Sequence, residues 1–219
     1  MTNNTEPYLA ERTKGIGRLL AKRMPHLEFV FWDLSEFLPV FHNVRRNMIF
    51  IECEKIARNE AISALAGEPK LRDYLVYSGE RKPEIVNEEW ASAKSTKGIR
   101  DAIVVMSRRD FGETVVFEGN ARVPTLERRL MDLLYYSLKG YLPMALDEAV
   151  NALAWFLNNR GVSITRMQRY STRRYIGWFF SIVLCRLVEK KMINPNIVEP
   201  RYLENGRRNR NAVLRVDEL

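Results

Sequence analysis

Four short apolar runs set the terms on which this chain can fold. Residues 27–32 (LEFVFW), 48–53 (MIFIEC), 74–77 (YLVY) and 102–106 (AIVVM) are rich in β-branched and aromatic side chains. They are too short for a stable helix and too apolar for a half-wet strand, so they predict buried strands of one sheet. Residues 114–117 predict a further, edge strand. Apolar positions Leu9, Ile16, Leu19 and Leu20 predict a helix over 8–24 that Pro25 ends. The Ala-rich stretch 56–66 predicts a second, stopped by Gly67 and Pro69. Residues 34–41 read as a connecting turn or short helix. Residues 79–98 read as an exposed polar loop with one helical turn at 88–93.

The pattern changes at residue 123. Pro124 stands near a helix start, where a missing N–H costs nothing. Leu126, Leu130, Leu133, Leu134 and Leu138 then share one helical face, and Gly140 closes the run. Residues 142–158, 164–175 and 178–191 predict three more helices, the second basic and the third apolar. From Pro200 the chain is polar, carries the turn signal Asn205-Gly206, and reads as a flexible tail. The expected class is therefore α/β: a small mixed sheet with interleaved helices, followed by a C-terminal helical subdomain. The expected limits are 1–122 for the sheet core, 123–199 for the helical subdomain and 200–219 for the tail.

With 46% hydrophobic and 28% charged residues the composition excludes collagen-like, disulfide-framework and disordered chains. Cys53 and Cys185 each sit inside an apolar run, which predicts buried, reduced thiols and a cytoplasmic location. Residues 1–22 hold no apolar signal core, and the longest apolar run, 175–185, is too short to span a bilayer. No membrane association is expected.

The net charge of +8 is placed unevenly. Residues 1–159 hold 22 Lys/Arg against 22 Asp/Glu, whereas residues 160–191 hold eight basic side chains and one acidic, Glu189. So local an excess is either a solvated helix face or a surface that favours a polyanion or an acidic protein partner.

Most catalytic patterns are absent. Gly15-Ile16-Gly17 follows no strand and lacks a third glycine, there is no phosphate-loop sequence, and neither CxxC nor HExxH occurs. His26 reads as a boundary residue and His42 as a loop residue, so no metal and no cofactor are implied. Two constellations remain. In the first, Asp33 follows one strand and Glu52-Cys53-Glu54-Lys55 ends the next. That order is similar to the restriction-type metal nucleases, in which two acids bind Mg²⁺ and a lysine polarises water. The required acid-x-Lys spacing fails, since Glu54 and Lys55 are adjacent and Lys55 points away from Glu52 and Glu54 on a strand. The competing structural reading is that Glu52 or Glu54 forms a salt bridge or caps the next helix. In the second constellation, Arg166, Arg169 and Arg173 recur at i, i+3 and i+7, one stripe of a helix, with Tyr170 and Arg174 beside them. Guanidinium forks match phosphates and carboxylates, and Tyr170 either stacks on a base or anchors the helix.

Residues 123–134 (VPTLERRLMDLL) resemble the PTLEKxLVDLL helix of the AbiEi-type antitoxins of abortive-infection systems. Residues 169–174 (RYSTRR) resemble the RYAxRR helix that follows it there, and 31–33 (FWD) with 49–55 (IFIECEK) are similar to that group's two early strands. The likeness covers about residues 8–175. It implies a non-enzymatic antitoxin in phage defence, with a nucleotidyltransferase-like toxin as partner. The family's operator-binding winged helix has no room in the 25 or so residues before the first strand, so the resemblance implies either a C-terminal-domain-like portion or a stand-alone relative with another job. The expected function is a binding protein that engages DNA, RNA or a toxin through Arg166, Arg169, Tyr170, Arg173 and Arg174. The alternatives are a degenerate metal-dependent nuclease using Asp33, Glu52, Glu54 and Lys55, and a structural homo-oligomer subunit joined through the 178–180 (WFF) helix.

Overall fold

The computed structural model describes residues 8–40, 47–71, 74–78, 84–85, 102–108, 112–140, 142 and 145–216, with side chains of the last helix through 211. The chain divides into two units, Met1–Thr125 and Leu126–Leu219. The protein is α/β: among the described residues a mixed sheet with two α-helices makes the first unit, and helices make the second.

In the first unit helix α1 (Glu11–Arg23) precedes β1 (Phe29–Asp33) and β2 (Met48–Cys53). Helix α2 (Arg58–Ala66) then leads to β3 (Leu75–Ser78), the two-residue β4 (Glu84–Ile85), β5 (Ala102–Ser107), β6 (Thr114–Glu118) and β7 (Ala121–Pro124). The strand order is β4-β3-β5-β2-β1-β7-β6. Strands β3, β5 and β2 run parallel, β1 turns antiparallel against β2, and β7 lies parallel to β1. Every residue of β1 and β2 is buried, as continuous apolar runs require of central strands. Strand β6 is an edge, as expected from sequence, and its Val115 and Val116 are exposed.

Helix α1 is set closely on β1. A Cβ on Gly17 would fall 2.4 Å from the Phe31 ring, so glycine is what lets helix and strand approach. One prediction about local structure is corrected here. Residues 121–124 form a strand rather than a helix start, with Pro124 closing it beside the edge strand. The segment 79–98 lies outside the described residues except Glu84–Ile85, which pairs with β3.

The second unit contains α3 (Leu126–Leu138), α4 (Leu146–Asn159), α5 (Ile164–Arg173), α6 (Gly177–Glu189) and α7 (Pro200–Val216). Helix α3 packs on α4 and α5, α5 on α6, and α6 on α7. Leu130, Leu133, Leu134, Leu153, Phe156, Met167, Phe180 and Leu184 form its core, each under 2% exposed. The expected flexible tail is corrected: residues 200–216 are helical, with Tyr202 and Gly206 buried against neighbouring helices. Among the described residues no helix is long and apolar enough to cross a membrane.

Candidate functional site

Helix α5 begins where the Ser163 hydroxyl accepts the Arg166 backbone N–H at 3.3 Å. Its inner face is Ile164, Met167, Tyr170 and Ser171, all buried. Its outer face carries Arg166, Arg169 and Arg173, all exposed, as the i, i+3, i+7 spacing predicts. The Glu127 carboxylate lies 3.9 Å from the Arg166 guanidinium and also accepts the Ser163 N–H at 3.2 Å. A pair this long and exposed contributes little to stability. No acidic residue occurs in the chain from 160 to 188, so the helix presents a cationic face.

Two members of the predicted set are not on that face. Tyr170 is 1% exposed, and its hydroxyl donates to both oxygens of the Asp132 carboxylate at 3.0 and 3.1 Å. Arg174 turns inward, donates from Nε to Asp132 at 2.9 Å, and lies over the Tyr135 ring at 4.1 Å. Arg128, fully buried, flanks the same carboxylate at 3.5 Å and lies 5.4 Å from the Tyr170 ring centre. Asp132 itself is fully buried. Arg128 and Asp132 thus meet Tyr170 and Arg174 in one charge-assisted knot between α3 and α5. Tyr170 is the anchor of its helix and not a stacking platform for a ligand.

The nuclease residues are not brought together. Asp33 pairs with Ile49 across β1 and β2, whereas Glu52 pairs with Val30. An odd offset of three positions puts the two carboxylates on opposite faces of the sheet and about 10 Å apart along it. Each is used structurally. Asp33 accepts the backbone N–H of Ala10 at 3.1 Å and of Ser35 at 2.9 Å, and the hydroxyls of Thr13 and Ser35, tying α1 to the end of β1. Glu52 pairs with Arg108 at 2.7 Å and accepts the Trp32 indole N–H at 3.3 Å, both carboxylates being fully buried. This is the salt bridge that the structural reading of Glu52 anticipates. Glu54 and Lys55 are exposed at the turn into α2. Among the described residues no group of three His, Cys, Asp or Glu side chains could hold a metal ion.

Burial pushes the Cys53 thiol up to about 11, so it is protonated and unreactive at neutral pH. His26 is exposed beside Glu60, and His42 lies outside the described residues.

Sequence reasoning passed over one feature beside the arginine stripe. Helix α5 closes in a Schellman motif: the N–H of Tyr175 donates to Thr172 O and that of Ile176 to Ser171 O, at 3.0 and 2.9 Å. The motif needs a left-handed residue, and Tyr175 supplies it with φ 59°. Its ring is 89% exposed, and Trp178, at the start of α6, is 46% exposed. Residue type alone gives no sign of a left-handed tyrosine, because glycine is the usual occupant.

The chain matches no known family model, no curated protein and no solved structure.

Proposed function

We propose that this chain is a non-catalytic binding protein that engages the phosphate backbone of a nucleic acid through Arg166, Arg169 and Arg173 of α5. The observation that carries the reading is the pairing of exposure with charge. Three arginines stand on one exposed helical face, inside a 32-residue segment of net +7. Their helix is locked to its neighbour by the Asp132 knot, so the guanidinium groups are held on a rigid element, which lowers the ordering cost of binding. In the setting that the resemblance to AbiEi-type antitoxins implies, the protein acts in the cytoplasm in phage defence, beside a nucleotidyltransferase-like toxin.

The test is a titration of the parent and of the triple variant Arg166→Ala/Arg169→Ala/Arg173→Ala against DNA and RNA at several salt concentrations. Each neutralised duplex phosphate contributes about −0.9 to the salt slope, so the triple variant should bind more weakly with a slope flatter by roughly 2–3. Unchanged affinity and slope would remove the function from this face. Loss of a co-expressed neighbouring protein, with no nucleic-acid affinity in either form, would make the partner an acidic protein instead.

A further inference from the structure

We infer that the ligand of this face is single-stranded nucleic acid, whose bases stack on Tyr175 and Trp178 while its phosphates lie on Arg169 and Arg173. The inference rests on the reading above and names the class of nucleic acid.

The first observation is the backbone of Tyr175. A left-handed conformation is costly for any residue with a Cβ and is ordinarily filled by glycine. In this unit Gly140 and Gly161 follow that rule at φ 67° and 61°, whereas the exposed Lys191 closes α6 in the same way as Tyr175, at φ 58°. Tyr175 adopts the same conformation at φ 59° while 89% of its surface stays in solvent. Lys191 carries the same backbone cost with its side chain in solvent, so what sets Tyr175 apart is the aromatic face that this turn holds out to solvent.

The second observation is what surrounds that ring. Trp178 follows three residues later, 46% exposed, at the first turn of α6. Arg173 is the last residue of α5, and Arg169 stands one turn before it on the same exposed face. Two accessible aromatic rings and two guanidinium groups therefore flank the turn that joins α5 to α6. A duplex offers phosphates to such a turn but keeps its base faces stacked on each other. A single strand offers both phosphates and open base faces, and every base has a face to stack. The turn is complementary to a single strand in both charge and ring chemistry.

The test compares oligo-dT, an abasic strand of the same length and a duplex of the same length. The proteins are the parent, Tyr175→Gly, Trp178→Ala, Tyr175→Phe and Trp178→Phe. Oligo-dT should bind the parent at least tenfold tighter than the abasic strand or the duplex. Removing either ring should weaken oligo-dT binding roughly 5- to 100-fold, the range expected for one base–aromatic stack. The salt slope should not change, because the phosphate contacts remain. The Phe variants should keep most of the affinity. Tyr175→Gly should melt at or above the parent's temperature, since glycine relieves the backbone, so its loss of binding would not be a folding defect. Equal affinity for all three polymers, with ring variants unchanged and the triple arginine variant impaired, would overturn the inference and leave the phosphate reading standing. No binding of any strand by the parent at low salt would overturn both. A parent dimer that the ring variants dissociate, with no preference for oligo-dT, would assign the rings to self-association and overturn the inference as well.

Discussion

Asp132 shows how one residue can settle the meaning of a motif. At about 100° per residue, Tyr170 and Arg174 lie about 40° and 80° round the helix from Arg166, on the border between wet and buried faces. Spacing alone leaves that border open, which is why residues 166–174 read equally well as five ligand contacts or as three. The deciding partner is 38 residues away on α3, beyond any local rule. Because Asp132 is fully buried between Arg128, Tyr170 and Arg174, its charge is held by its neighbours and theirs by it. Asp132→Asn should cost about 3–5 kcal/mol in urea melts, as expected when one partner of a buried ion pair is removed. Tyr170→Phe removes a hydrogen bond to a charged group and should cost about 1–3 kcal/mol. Its affinity for nucleic acid should equal the parent's wherever it is folded. A Tyr170→Phe protein as stable as the parent but impaired in binding would return this side chain to the ligand.

At the scale of elements, the buried strands and the long helices are legible because burial is written in residue type. MIFIEC becomes β2 with the same bounds, Met48–Cys53, and the leucine stripe becomes α3. Strand β7 and helix α7 were not legible, each for a physical reason. Strand β7 is four residues long and ends in a proline that suits a helix start as well as a strand end; pairing with β1 and β6 decides it. Helix α7 contains Asn205-Gly206, a turn signal in isolation, yet here Gly206 is the point where α7 touches α6. A Cβ at Gly206 would stand 2.3 Å from the Ser181 carbonyl oxygen and 2.8 Å from the Cys185 side chain. Helix propensity and packing therefore predict opposite signs for Gly206→Ala. On an unpacked helix the change should stabilise by about 1 kcal/mol. Against a backbone carbonyl that cannot retreat it should destabilise by about 1–3 kcal/mol. Gly15 in α1, which has nothing within 4 Å of its Cβ position, is the control, and Gly15→Ala should stabilise. Denaturant midpoints of the two variants moving in opposite directions would establish the packing of α7; both moving upward would place residues 200–216 away from α6.

At the scale of the whole molecule, charge and chemistry are divided between the units. The first holds 19 Lys/Arg and 18 Asp/Glu, the second 16 and 9, so the field that draws a polyanion belongs almost wholly to the helical unit. The acidic residues that suggest a nuclease all belong to the sheet unit. There the sequence order Asp33, Glu52, Glu54, Lys55 is legible, but the faces on which they stand depend on the β1–β2 register. That register sets Asp33 toward α1, where it accepts from Thr13 and Ala10, and Glu52 toward Trp32 and Arg108. Two carboxylates on opposite faces cannot share one Mg²⁺, and a lysine on the exposed turn beyond them cannot reach a water held between them. We expect plasmid incubated with the protein and Mg²⁺ or Mn²⁺ to remain uncut, even at protein concentrations that saturate nucleic-acid binding. Glu54→Ala is the decisive variant if cleavage is seen. Glu54 is exposed and makes no side-chain cap, so its loss should leave the fold intact, whereas Glu52→Ala would strand the buried Arg108 charge and confuse activity with unfolding. Metal-dependent cutting that Glu54→Ala abolishes would require Glu52, Glu54 and Lys55 to assemble on one face, and would overturn both this register and the non-catalytic reading. Cutting that persists in Glu54→Ala would place the activity outside these four residues.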